Sequence, residues 1–232
     1  MKRPFLIGLA LLAMLGFAAL GVWQLQRLAW KLDLIARVDA RVHAPPASLP
    51  PPAAWAGWQR QDYEYRRVRL TGLFRNDRET LVQALTERGA GFWVLTPLRT
   101  PQGMVLVNRG FVPPERRDPA TRAAGQVNGP VTVVGLLRAS EPGGGFLRAN
   151  DPAANQWHSR DVAAIAEARG LGPVAPFFVD ADATPNPGGY PIGGLTVVSF
   201  RNAHLAYALT WFALAALSAA GAFLLLRSRE AR

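Results

Sequence analysis

Phe5–Trp23 reads FLIGLALLAMLGFAALGVW, nineteen residues without a charge. At 1.5 Å per residue a helix of this length nearly spans the ~30 Å hydrocarbon core of a bilayer. Lys2 and Arg3 precede it, as in a cleaved signal peptide. The apolar run is longer than the usual signal-peptide core and holds no A-x-A pair, which favours an uncleaved anchor. Near the other end, Leu205–Leu226 reads LAYALTWFALAALSAAGAFLLL, again uncharged, and stops at Arg227. Ala216 and Ala220 give this second run a small-xxx-small spacing at which another helix can approach, and Gly8, Gly16 and Gly21 offer the same on the first.

Two such runs in 232 residues leave a middle long enough for one domain. The formal net charge of +10 raises the question of nucleic acid. Its distribution argues against that partner. Residues 1–41 hold Lys2, Arg3, Arg27, Lys31, Arg37 and Arg41 against Asp33 and Asp39, and the tail holds Arg227, Arg229 and Arg232 against Glu230. Most of the excess therefore flanks the apolar runs, where it meets the head groups of a lipid bilayer. For orientation, the basic residues near the two sides balance: the short tails face Arg27, Lys31, Arg37, Arg41 and Arg201. The density of charge in the tails favours both termini in the cytoplasm, and long domains cross a membrane largely regardless of charge.

The chain therefore divides into a cytoplasmic N-terminal tail (1–4), a first transmembrane helix (5–23), an amphipathic helical extension (24–42), a Pro-rich linker (43–59), an extracytoplasmic β-rich domain (60–203), a second transmembrane helix (204–226) and a cytoplasmic C-terminal tail (227–232). In the extension, Leu25, Leu28, Leu32 and Ile35 recur at three- and four-residue spacing with charges between them. APPASLPPP at 44–52 then breaks the helix and acts as a stiff spacer.

Between Tyr63 and Phe200 the pattern is mostly strands. Val68, Leu70 and Gly72 alternate with Arg67, Arg69 and Thr71. Further strands are expected at Thr80–Leu85, Phe92–Leu98, Met104–Val112, Val131–Arg138, Phe177–Ala181 and Leu195–Phe200. Thr100-Pro101-Gln102-Gly103 reads as a type I turn joining two of them into a hairpin. One helix is expected at Asp161–Arg169, with Ser159 as its N-cap and Gly170 after its end. The fold class is a membrane protein with two transmembrane α-helices flanking a mainly antiparallel β (α+β) domain, either barrel-like or a sandwich.

Catalytic chemistry is hard to find. The absence of cysteine excludes disulfides, C-x-x-C redox chemistry, thiolate metal sites and covalent haem attachment within this chain. His43, His158 and His204 lie far apart, with no H-E-x-x-H. There is no G-x-S-x-G elbow. Gly143-Gly144-Gly145 follows Pro142 and lacks the Lys and Ser/Thr of a phosphate loop. Glu141, Asp151 and Asp161 are ten apart in loops and read as solvated surface.

The membrane boundary is more informative. Trp23, Arg27 and Trp30 lie at i, i+4 and i+7 on one helical face, and His204, Tyr207 and Trp211 at i, i+3 and i+7 on another. An aromatic belt with a snorkelling arginine accounts for the Trp and Tyr. It accounts less well for His204, because a histidine at the lip of an apolar helix needs a partner. Imidazole there could ligate a haem iron, and Arg27 could pair with a propionate.

At this boundary the chain also resembles a known family. Gly21-Val22-Trp23-Gln24-Leu25-Gln26-Arg27-Leu28-Ala29-Trp30-Lys31 resembles the G-x-W-Q-x-x-R-x-x-W-K signature of the Surfeit-locus cytochrome oxidase assembly family. Val107-Asn108-Arg109-Gly110-Phe111-Val112-Pro113 resembles its V-N-R-G-W-V-P segment, and Asn202-Ala203-His204-Leu205-Ala206-Tyr207-Ala208-Leu209-Thr210-Trp211-Phe212 its N-N-H-L-x-Y-A-x-T-W-F segment. The three occur in the family's order and together cover essentially the whole chain. Phe111 stands where Trp is usual, and Ala203 where a second Asn is usual.

The resemblance implies an assembly factor for a haem-copper oxidase that assists delivery of haem a to the large catalytic subunit, and a chaperone rather than an enzyme. With haem a as transient cargo, the boundary residues read above would form its site, His204 as iron ligand and Arg27, Trp23, Trp30, Tyr207 and Trp211 around it. Its partners would be the oxidase large subunit and other biogenesis factors such as haem a synthase, with Asn108, Arg109 and Gly110 as candidate partner-binding residues. Arg109 reads equally as a solvated strand residue. A span that begins at residue five, without an Arg- and Ser-rich presequence, points to a bacterial inner membrane with the main domain periplasmic. The competing reading is a two-span periplasmic ligand-binding or sensing module.

Overall fold

The computed structural model describes residues 2–145 and 147–227. The expected C-terminal tail lies outside these residues apart from Arg227. The chain forms two compact units, one from residues 1–37 and 198–232 and the other from residues 38–197.

The first unit is a pair of helices, each long and apolar enough to cross a membrane. Helix α1 runs unbroken over Lys2–His43, so the amphipathic stretch continues the first apolar run without a break. Its partner within the unit, the last helix of the chain, covers His204–Arg227. The two run antiparallel: Phe17 stacks on Trp211 with centroids 5.7 Å apart, and Arg3 Nε donates to the Leu225 carbonyl at 2.9 Å. The buried small residues of the second helix are Ala208, Ala215 and Ala222, at seven-residue spacing. The expected Ala216–Ala220 pair is exposed instead. A seven-residue repeat keeps one seam turned to a neighbour over about four turns, which a single small-xxx-small step does not. On α1 only Gly21 makes a close approach: a Cβ there would sit 2.6 Å from the Phe212 ring, whereas Gly8 and Gly16 have open space.

The second unit is a barrel-like sheet. Its strands are β1 (Ala47–Ser48), β2 (Arg67–Phe74), β3 (Thr80–Thr86), β4 (Gly89–Thr100), β5 (Gly103–Val112), β6 (Pro130–Ala139) and β7 (Val174–Ala181). They lie in the order β1-β2-β6-β7-β5-β4-β3, and a further pairing of β2 with β4 closes the sheet on itself. All pairings are antiparallel except β1–β2 and β5–β7. Helix α2 (Arg60–Tyr63) is a single turn, α3 covers Val162–Ala168, and α4 is the His204–Arg227 helix.

Why β5 reads as a nearly continuous apolar run is clear from its two faces. Val105 and Val107 point into the barrel with Val68, Leu137, Phe177 and Val179. Leu106 points outward to Phe178, Trp157 and the α3 residues Val162 and Ile165. A strand covered on both sides loses the apolar–polar alternation of a half-exposed one. Each fully buried Phe or Leu contributes about 1.5–3 kcal/mol.

Six of the seven expected strands are present, and the Thr100–Gly103 turn joins β4 to β5. Leu195–Phe200 is not a strand. The barrel closes through β2–β4 without it, Gly194 precedes it at φ +73°, and the Thr196 hydroxyl bonds the Asp180 side chain. The N-cap of α3 is Asp161, whose carboxylate accepts from Ala164 N at 3.2 Å, and not Ser159. Ser159 donates to the Glu141 carbonyl. Residues 43–59 are more than a spacer. β1 pairs with β2, Leu49 is buried in the barrel core, and Trp55 and Trp58 pack on Phe177 at 6.0 and 4.6 Å.

Candidate functional site

Within the helical unit, His204 is the first residue of α4, and its backbone N–H donates to Asn202 Oδ1 at 3.4 Å. Its ring meets α1: His204 Nδ1 and Gln24 Oε1 are 2.7 Å apart. A carboxamide oxygen only accepts, so Nδ1 is the donor in this bond, and a neutral ring would carry its lone pair at Nε2. Gln24 is buried, and Gly21 lies one turn before it on the same face, against Phe212. The histidine that needed a partner thus has one, on the opposite helix.

The other expected residues separate into two groups. Trp23, Arg27 and Trp30 are exposed, and the Arg27 guanidinium lies 4.7 Å over the Trp30 ring. Tyr207 is 56% exposed. Trp211 is turned to Phe17, and among the described residues no ring pairing joins it or Tyr207 to Trp23 or Trp30. Lys31, one residue beyond Trp30, lies 4.9 Å over Phe200. The structure therefore brings together His204 with Gln24 and Arg27 with Trp30, and it does not join the six residues into one cage. Sequence reasoning missed Gln24. Its signal was an amide inside an apolar helix, one turn from a glycine on the same face.

In the barrel, Asn108, Arg109 and Gly110 are all buried. Asn108 is on the outer face of β5 and donates from Nδ2 to Asp180 Oδ1 at 2.8 Å. Asp180 also holds Arg138 at 2.8 Å, Arg160 at 3.3 Å and the Thr196 hydroxyl at 2.9 Å. Arg160 reaches on to Glu141 at 2.5 Å. Burial alone would lower the Arg160 pKa, but the Glu141 hydrogen bond and the Asp180 charge more than offset it and raise it. Burial likewise pushes Glu141 up, and the bonds and charge of Arg160 outweigh it and hold Glu141 below its ordinary value.

Arg109 points the other way, into the barrel. It is 2% exposed. Nη2 donates to the Gly125 carbonyl at 2.5 Å and to Asn186 Oδ1 at 3.0 Å, and the guanidinium lies 4.5 Å over Phe74. Burial pushes it down to about 10, with Glu79 opposing that change and Arg122 adding to it. Gly110 has a conformational role: φ is +129°, and a Cβ would lie 2.1 Å from the Ile192 carbonyl oxygen. The sequence left Arg109 between a partner contact and a solvated strand position. The structure places it inside, and among the described residues no carboxylate oxygen lies within 4.0 Å of it.

A family model described as the SURF1 family matches residues 11–216. The chain belongs to the SURF1 family. Human Surfeit locus protein 1 is 38% identical over 217 residues, covering 85% of this chain and 69% of its own. A SURF1-like protein of Monosiga brevicollis is 40% identical over 217 residues, covering 87% and 80%. One from Caenorhabditis elegans is 33% identical over 219 residues. The two departures of this SURF1-family chain from the expected motifs have local explanations. Phe111 is buried edge-on against Trp93, centroids 6.2 Å apart, so an aromatic still fills the position. With Ala203 beside it, His204 takes its polar partner from Gln24 of α1.

Proposed function

We propose that this SURF1-family chain is a membrane-anchored assembly factor for a haem-copper oxidase, handling haem a on its way to the large catalytic subunit, and that it acts as a chaperone and not as an enzyme. In this reading α1 and α4 cross a bacterial inner membrane, both termini are cytoplasmic and the barrel is periplasmic. Haem a is the cargo. The oxidase large subunit receives it, and a haem a synthase is the natural supplier.

The observation that carries the reading is the Gln24–His204 pair. Metal-binding histidines usually donate their second ring N–H to an acceptor that fixes tautomer and orientation. Gln24 Oε1 does this for Nδ1 and leaves Nε2 as the ligating atom. Arg27 is an exposed, permanent cation held over Trp30, suited to a propionate. Trp23, Trp30 and Tyr207 are exposed aromatic side chains. Trp211 acts at one remove, by stacking on Phe17 and fixing the helix pair. A single histidine ligand suits transfer, since it leaves the other axial side to the client.

The test is the visible spectrum of protein purified with haem a supplied. His204→Ala should lose the bound-haem spectrum, and Gln24→Leu should keep its shape with occupancy lowered by about tenfold or more. If His204→Ala retains the parent's occupancy and spectrum, His204 is not the ligand. Topology is tested separately: reporters fused after Pro52 and after Arg232 should report opposite compartments.

A further inference from the structure

The inward row of β5 ends in a cation with no counter-charge. Arg109 Nε and Nη1 are buried and have no hydrogen-bond partner. The acid whose charge reaches it, Glu79, is held by Arg122 through two bonds, a pair that is itself almost wholly buried. Arg109 lines a cavity of about 280 Å³, whose other walls include Phe74, Val107, Val131 and Val133 and whose rim includes the exposed Thr184 and Pro185. The one carboxylate in the lining, Asp182, is engaged by Arg67 at 3.7 Å and by the Thr184 hydroxyl.

Isolated buried cations are strongly disfavoured unless something neutralises them. A guanidinium that lines a largely apolar cavity and keeps two buried N–H groups without an acceptor has the chemistry to recognise a planar anion. One cation and a volume near the lower bound of ordinary ligand pockets, about 300 Å³, select a small monoanion over a phosphate ester. We propose that this cavity binds a small free carboxylic acid, with its carboxylate on Arg109 and its short apolar stem against Phe74, Val131 and Val133. The site is in the barrel and does not depend on the haem reading.

Butyrate is the probe, and butyramide its uncharged counterpart. Binding is read by saturation-transfer NMR on the full chain in nanodiscs, with empty nanodiscs subtracted. The parent should bind butyrate saturably, with Kd in roughly the millimolar range expected for so few atoms. Arg109→Met, which removes the cation, and Val133→Trp, which fills the cavity and keeps the cation, should each weaken it at least about tenfold. Circular dichroism establishes that each variant is folded, and either variant alone suffices. Butyramide should not compete. The proposal is overturned if the parent shows no saturable binding, if folded Arg109→Met binds as the parent does, or if butyramide binds equally well. Saturable binding of a glutamate-containing tetrapeptide in place of butyrate also overturns it, and assigns the cavity to a polypeptide side chain.

Discussion

Asn108 and Arg109 are neighbours on β5, and the two polar regions they enter are opposites. Outside the barrel, Asp180 gathers Asn108, Arg138, Arg160 and Thr196, and Glu141 adds a second carboxylate to Arg160. Inside, Arg109 rests on neutral acceptors and an aromatic ring, and its acid is taken by Arg122. The first region is internally complete. The second is complete only when something is added. A buried ion with all its partners is a structural part, while a buried ion without one is a position held open.

The largest expected effect lies in the complete region. Asp180→Ala strips the shared carboxylate from two mostly buried arginines and should cost about 3–5 kcal/mol, read as a shift in the denaturant midpoint of tryptophan fluorescence. A loss below about 1 kcal/mol would break the comparison, because the cluster would then be no more important than a surface pair. Next comes Gly110, the residue that follows the two neighbours on β5. Gly110→Ala forces a side chain into the left-handed region and onto the Ile192 carbonyl, and should cost about 2–3 kcal/mol by the same measurement.

Smaller still is the change inside the barrel. Arg109→Met removes the uncompensated cation, at the expense of two unanswered acceptors, Gly125 O and Asn186 Oδ1. Stability should move by no more than about 1 kcal/mol in either direction. A penalty equal to that of Asp180→Ala would show that Arg109 is as structural as its neighbours across the sheet. The smallest effect is acid sensitivity. Arg160 holds Glu141 below its ordinary pKa, so the group's contribution is present above about pH 4.3 and is lost as pH falls through the lower folded value. Glu141→Gln should flatten the stability profile below about pH 4.3. An unchanged slope would leave Asp180 as the sole anchor of Arg160.

Much of this was readable in advance, where chemistry was local. The two apolar runs needed only length and absence of charge. The strands at Arg67, Thr80, Phe92, Met104, Val131 and Phe177 announced themselves by β-branched and aromatic runs between turn residues. What could not be read depended on distant partners. Leu195–Phe200 has a strand's composition, but strand character requires a partner strand, and the Thr196 hydroxyl is turned to Asp180 instead. Ser159 and Asp161 are both fitting caps, and only the position of Glu141 decides which one is free to act. The proline-rich 43–59 segment looked like a spacer because its Trp55 and Trp58 find Phe177 more than a hundred residues away. At the candidate site, His204 was evident and Gln24 was not, since an amide becomes informative only when its acceptor is known to face an imidazole 180 residues on.

The position of β7 has a consequence for synthesis. It is the last strand made, yet it lies between β6 and β5, antiparallel to one and parallel to the other. Until residues 174–181 have emerged, both of those strands present unpaired edges, and the row of Val and Leu side chains on β5 lacks its cover. Contacts between segments so far apart in the chain form slowly, and open edges template aggregation. A nascent chain that stalls before Val174 is therefore the form of this protein most in need of protection, and a chain ended there should be recovered as aggregate or degraded, whatever the fate of its first helix.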